Sequence, residues 1–155
     1  HQAPFPAGGA MSEHDRIVKL YAKGAPVGVH EGRLVGFPVD EHRSAEWALG
    51  EADGGGYRLT VKGTEDTVTA PCTDRAQALV RPDATPASVW RLHRVTPDGI
   101  TPVRSLTTLT TGTYVITQNG LALGRDLFED RSPDPKPVVI RTDDREPHWT
   151  VEVLI

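Results

Sequence analysis

Short runs in which apolar and polar residues alternate recur along the whole chain, and glycines and prolines separate them. Clear examples are residues 17–21, 57–61 and 114–117, and each run ends near a turn glycine. Alternation with a period of two, rich in β-branched and aromatic side chains, is typical of half-buried strands. The 13 prolines and 15 glycines interrupt the chain too often for long helices. We therefore predict an all-β domain.

A repeat runs through these strands. Each of three turn glycines is followed by a tryptophan, 23, 27 and 29 residues further on; the pairs are Gly24 with Trp47, Gly63 with Trp90, and Gly120 with Trp149. A repeat of about 40 residues indicates a closed or radial architecture. Three units of four strands predict a β-trefoil, a barrel capped by hairpins, with the tryptophans in its core. The alternative is that the three tryptophans fall into register by chance.

This repeat gives the chain its expected organisation. We predict about twelve short strands in three units, which cover residues 15–53, 54–110 and 111–155. The strands expected in these units are 16–22, 26–30, 34–39 and 46–50; 57–62, 67–70, 77–81 and 89–95; 113–117, 122–124, 137–141 and 148–154. Another short strand is expected between residues 96 and 111. Residues 1–11 resemble a tag or linker, loosely ordered, that precedes a single domain over 12–155.

Charge and cysteine content narrow the function classes. With 17 basic and 21 acidic residues the net charge is −4, which predicts no nucleic-acid partner. No apolar run reaches the roughly 18 residues that a membrane helix needs, so no membrane association is expected. The single cysteine, Cys72, cannot form an internal disulfide, and no signal-peptide pattern is visible. These features are compatible with a cytoplasmic monomer, although they do not exclude a secreted protein.

Motifs for catalysis or metal binding are missing from the sequence. The six histidines are scattered, and Cys72 has no partner at the spacing of a metal site. No Gly-x-Ser-x-Gly nucleophile motif is present, and the glycines at 54–56 precede a strand instead of a helix, so they indicate a hairpin turn. We therefore expect neither an enzyme nor a bound metal or cofactor.

The segment from Gly112 to Val153 carries the most specific pattern. It contains Gly-Thr-Tyr-Val-Ile at 112–116, Gly-Arg at 124–125, Glu-Asp-Arg-Ser at 129–132, Pro-Lys-Pro-Val at 135–138 and Trp-Thr-Val-Glu at 149–152. This arrangement resembles the first repeat of the β-trefoil serine-protease inhibitors of the cospin-like, or mycospin, family. In that family the repeat comes first, whereas here it comes last, which looks like a circular permutation at a repeat boundary.

The resemblance implies that the protein inhibits trypsin-like serine proteases through one exposed loop. The loop over 124–137 holds three basic residues and three prolines. Arg131 is the first candidate for the residue that enters the protease pocket, with Asp130 before it and Ser132 after it; Arg125 is the second. The alternative is a structural loop in which Glu129 and Asp130 cap a turn and Arg125 pairs with a carboxylate.

Two further loops and two further functions stay open. Arg33 and Arg75 lie in the corresponding loops of the other units and are secondary candidates for the pocket residue. A carbohydrate-binding module is one alternative function, although the Gln-x-Trp motif of one lectin class is missing. An inhibitor of cysteine proteases is another, and a purely structural role leaves no mark in the sequence.

Overall fold

The structure, a computed structural model, describes residues 15–143 and 145–155. These residues contain thirteen strands. The expected tag or linker over 1–11 lies outside these residues. The strands are β1 (Arg16–Ala22), β2 (Ala25–His30), β3 (Arg33–Gly36), β4 (Trp47–Glu51), β5 (Tyr57–Val61), β6 (Thr67–Thr69), β7 (Leu79–Arg81), β8 (Arg91–Thr96), β9 (Gly99–Pro102), β10 (Gly112–Gln118), β11 (Leu121–Arg125), β12 (Lys136–Arg141) and β13 (Trp149–Val153).

Helix is confined to single 3-10 turns at Glu41–Arg43, Pro86–Ser88 and Leu106–Thr108 among the described residues. Strand accounts for 49% and helix for 6% of the structure, so the all-β prediction is confirmed. The strand bounds follow the alternating runs closely. β1 begins and ends at the predicted residues, and β9 lies in the segment between 96 and 111 where an extra strand was expected. None of the described helices is long and apolar enough to cross a membrane.

The strands close into a ring. Ten of them follow the order β11-β12-β3-β7-β6-β5-β4-β1-β13-β10, and β10 returns to pair with β11. The closing pair joins Thr117 to Ala122 and Gln118 to Leu121. The other three strands lie outside this ring: β2 pairs with β1 and β3, β8 pairs with β10, and β9 pairs with β8. Closure satisfies the backbone of the ten strands without leaving an edge.

The β-trefoil prediction is therefore wrong: the protein is a closed ten-strand antiparallel barrel with three outer strands. The expected hairpin caps are not separate from the barrel, because their strands join the ring. β3 pairs with β12 on one side and with β7 on the other, so one strand of each expected unit meets here. A repeat in the sequence shows where strands recur, but it does not determine which strands pair.

The three tryptophans lie in one apolar core, as predicted. Trp47, Trp90 and Trp149 are each at most 1% exposed and belong to the same cluster of buried side chains. Each indole donates a hydrogen bond to a backbone carbonyl oxygen, at 3.3 Å to Val27, 3.0 Å to Val68 and 2.7 Å to Leu123. The bonds satisfy the polar atom that a buried indole brings with it.

Candidate functional site

The loop over residues 126–135 connects β11 to β12, which pair with each other in the ring. The pairing continues to the last residue of β11, where Arg125 lies opposite Val138. One more backbone bond, from Asp126 N–H to the carbonyl oxygen of Pro137 at 3.2 Å, closes the base. The loop therefore starts from a fixed frame, with Arg131 near its middle.

Arg125 lies under one side of this loop and is only 9% exposed. Its guanidinium donates to both carboxylate oxygens of Glu129, at 2.9 and 2.5 Å, and to the carbonyl oxygen of Ala22 at 3.0 Å. Lys23 adds a second cation 3.6 Å from Glu129. Burial alone would raise the pKa of Glu129, but the hydrogen bonds and charge of Arg125 outweigh it and hold that pKa below its ordinary value.

This geometry matches the structural alternative for Arg125. A bidentate arginine–carboxylate pair fixes both partners in one orientation. The Arg125 guanidinium faces the inside of the loop, so its charge is used within the molecule. Arg125, the second candidate for the protease pocket, therefore stabilises the loop through Glu129.

Lys136 supports the other side of the loop. Its side chain is 5% exposed, and its ammonium group lies 2.7 Å from Asp130 Oδ1 and 2.9 Å from the Asp130 carbonyl oxygen. A longer bond, at 3.3 Å, reaches Ser132 Oγ. One buried cation therefore ties the residues on both sides of Arg131 to the frame of the barrel.

Asp130, whose side chain is exposed, bonds both Lys136 and Ser132. Its Oδ1 accepts bonds from the Ser132 amide at 3.0 Å and from the Ser132 hydroxyl at 2.6 Å. The bond from Lys136, followed by those from Ser132, lowers the pKa of Asp130 to about 2. The carboxylate is therefore charged at neutral pH, and it bridges Lys136 to the residue that follows Arg131.

Arg131 itself is exposed, and no side chain holds it. Among residues 15–143 and 145–155, neither its guanidinium nor its backbone N–H and C=O has a hydrogen-bond or ion-pair partner. Asp130 and Ser132, its two neighbours, are both fixed. The loop thus presents one exposed arginine without a partner among the described residues, between two hydrogen-bonded neighbours.

The secondary candidate Arg75 flanks this loop. Its guanidinium lies 3.1 Å from Asp126 Oδ2 and 4.6 Å from the ring centre of Phe128, which is 72% exposed. Its backbone has a positive φ of 62°, and its amide donates to Ile140. Burial would raise the pKa of Asp126, but the Arg75 bond and other donors keep that pKa below its ordinary value.

Arg33 lies on the other flank. It begins β3, and its guanidinium is 3.5 Å from Glu31. It lines a cavity of about 430 Å³ that also includes Asp134 and Pro135 from the loop and Arg43 from the first 3-10 turn. The loops of Arg33 and Arg75 therefore each border the loop over 126–135, at different residues.

Lys136 and Gln77 support the loop, and neither role was predicted from the sequence. The alternation along β12 could have predicted that Lys136 is buried, because it shares a strand face with Val138 and Ile140. The three residues are 4%, 0% and 0% exposed. Gln77 Nε2 lies 2.9–3.1 Å from three backbone oxygens, those of Leu34, Ala78 and Val138, and so joins β3 to β12. Nothing local in the sequence indicates such a bridge.

The described residues contain no group of three or more His, Cys, Asp or Glu side chains that could hold a metal ion. Cys72 is exposed, and its sulfur lies 3.2 Å from Gln118 Oε1 and 3.1 Å from Asn119 Nδ2. The loop over 126–135 carries four carboxylates and one arginine, Arg131.

No protein-family model matches the chain, and no curated protein matches it either.

Proposed function

We propose that the protein inhibits trypsin-like serine proteases by inserting Arg131 into their specificity pocket. The observation that carries this proposal is the contrast between Arg131, which is exposed and has no partner in the described residues, and its two fixed neighbours. A trypsin-like pocket contains a buried aspartate that pairs with arginine or lysine. An arginine that fills such a pocket is the usual energetic centre of an interface.

The backbone around Arg131 is suited to this contact. A protease holds a bound segment partly by pairing with its backbone, as one strand pairs with another. The carbonyl oxygen of Asp130 is bound inward to Lys136, whereas the N–H and C=O of Arg131 are open among the described residues. The loop leaves open the groups that a protease uses.

Rigidity separates an inhibitor from a substrate. Residues 133, 135 and 137 are prolines, which limit the backbone freedom that binding would otherwise remove. Hydrolysis between Arg131 and Ser132 would add water, leaving a carboxylate on Arg131 and an amine on Ser132. Lys136 and Asp130 would still hold the two ends together. The protease would therefore release the loop slowly, and resynthesis of the bond would compete with release.

The test is a chromogenic assay of trypsin with the wild-type protein and Arg131→Ala. We expect inhibition by the wild type and an inhibition constant more than tenfold higher for the variant, because the pocket loses its cation. Arg131→Lys should keep most of the inhibition, since lysine also pairs with the pocket aspartate. Arg81→Ala is the matched control. Arg81 is exposed like Arg131, but it lies at the end of β7 and is followed by Pro82.

Three outcomes would contradict the proposal. The first is a wild-type protein that inhibits neither a trypsin-like nor a subtilisin-like protease at micromolar concentration. The second is an Arg131→Ala variant as potent as the Arg81→Ala control. The third is a protein that inhibits papain, or binds sugars on a glycan array, without inhibiting trypsin, which would favour one of the two alternative functions.

A further inference from the structure

The dipeptide Arg-Ser occurs three times in the sequence, at 43–44, 104–105 and 131–132. The structure gives the three arginines different settings. Arg43 lies in a 3-10 turn, and its guanidinium is 2.7 Å from His30 Nδ1 and 4.8 Å from the ring centre of Phe37. Arg104 is exposed, and the described residues give its side chain no hydrogen-bond or ion-pair partner. In this respect Arg104 resembles Arg131.

The chain around Arg104 is straight. It runs without a bend or turn from the end of β9 at Pro102 to the 3-10 turn that begins at Leu106. Ser105, directly after Arg104, has extended backbone angles, φ −153° and ψ 138°. By comparison, the chain bends from Arg131 to Asp134. An extended segment is the form in which peptides pair with the edge of a protein sheet.

Hydrogen bonds hold both neighbours of Arg104. The Val103 amide donates to the Leu92 carbonyl oxygen at 2.8 Å, and the Val103 carbonyl oxygen accepts from Tyr57 Oη at 3.0 Å. On the other side, Ser105 Oγ accepts from the Thr107 amide at 3.2 Å. The Val103 bonds fix the residue before Arg104 to the barrel, and the Ser105 bond fixes the residue after it to the 3-10 turn that follows.

Arg104 keeps its own backbone groups open. Neither its N–H nor its C=O has a partner within the part of the chain that the structure describes, while both backbone groups of Val103 face inward. This alternation is the one that a segment needs to dock on a protease, with every second residue available to the partner. The Arg104 segment therefore shares with the Arg131 loop an exposed arginine whose backbone groups are open among the described residues, on elements that the Arg131 loop does not use.

We propose that residues 102–106 form a second protease-binding segment, which presents Arg104 to the pocket of a trypsin-like protease. This inference rests on the proposed function, since both segments would address one class of protease. Neutral hydrogen bonds hold the Arg104 segment, whereas charged groups hold the Arg131 loop, and charge-assisted bonds are the stronger ones. We therefore expect Arg104 to form the weaker of two binding sites.

The test compares trypsin inhibition by the wild type, Arg131→Ala, Arg104→Ala, the double variant and the Arg81→Ala control, each with its melting temperature. We expect Arg131→Ala to leave residual inhibition at higher protein concentration. Adding Arg104→Ala should reduce that residual inhibition by more than tenfold. Placing Arg104→Lys in the Arg131→Ala background should keep it, because lysine also enters the pocket.

The outcomes separate this inference from the proposed function. If the double variant inhibits as well as Arg131→Ala alone, or if Arg131→Ala leaves no inhibition, the second segment does not bind and the Arg131 proposal stands. If Arg131→Ala equals the wild type while Arg104→Ala removes inhibition, the Arg104 segment is supported and the Arg131 proposal fails. A wild type that does not inhibit overturns both.

Discussion

Replacing Lys136 with methionine should weaken trypsin inhibition by roughly 100-fold, or about 2.7 kcal/mol of binding free energy. The buried ammonium group forms three bonds to Asp130 and Ser132, and methionine keeps most of its volume while removing all three. The loop then has to be ordered during binding, which costs affinity. Asp130 is 74% exposed at its side chain, so water can solvate its carboxylate once the lysine is gone.

The same variant should turn the inhibitor into a substrate. Without Lys136 only the bonds between Ser132 and Asp130 join the two ends of a cleaved Arg131–Ser132 bond, so trypsin should release them more often than it rejoins them. Intact-mass spectrometry during incubation with catalytic amounts of trypsin measures this cleavage. Lys62→Met is the control, because Lys62 forms an exposed pair with Glu46 at 3.1 Å, away from the loop. Equal inhibition constants for the two variants would show that Lys136 does not hold the loop in its binding form.

Truncating a core tryptophan should have the largest effect on stability. Trp149→Ala removes an indole that is 1% exposed and leaves a cavity that the barrel cannot fill by relaxing. Such changes cost about 3–5 kcal/mol of the free energy of unfolding. The carbonyl oxygen of Leu123 also loses its 2.7 Å bond from the indole. The expected loss is a large fraction of the roughly 5–15 kcal/mol that stabilises a typical domain.

Denaturant-induced unfolding measures this loss. Trp149→Phe is the matched variant, because it keeps an aromatic ring in the core and should cost less than the alanine substitution. Trp47→Ala and Trp90→Ala should resemble Trp149→Ala, since all three indoles lie in one apolar cluster. A cost below about 1 kcal/mol for each alanine variant would contradict the description of this cluster as the centre of the fold.

The strands could be predicted because alternation is a local property of the chain. β1 and β9 were found where the sequence placed them, and the buried tryptophans follow from their size and apolar surface. The architecture could not be predicted, because pairing joins residues that are distant in sequence. Nothing near Lys136 indicates that it lies opposite Gly36, or that β10 closes the ring on β11.

The candidate loop was predictable in position but not in the roles of its cations. Arg125, Arg131 and Lys136 all lie in one polar segment, and composition does not distinguish them. The structure distinguishes them by their position relative to the strands. Arg125 ends β11 and Lys136 begins β12, and both side chains are buried. Arg131 lies between the two strands and is exposed to solvent.

Hydrogen–deuterium exchange of the protein bound to trypsin tests the Arg131 contact most directly, when the catalytic serine of the trypsin is replaced by alanine so that no cleavage occurs. In the free protein the Arg131 amide has no acceptor among the described residues, so it should exchange quickly. In the complex we predict that exchange at residues 130–132 slows by at least tenfold, while the exposed end of β7 is unchanged. Unaltered exchange at 130–132 in a complex that forms, or no complex at micromolar concentration, would contradict the role assigned to this loop.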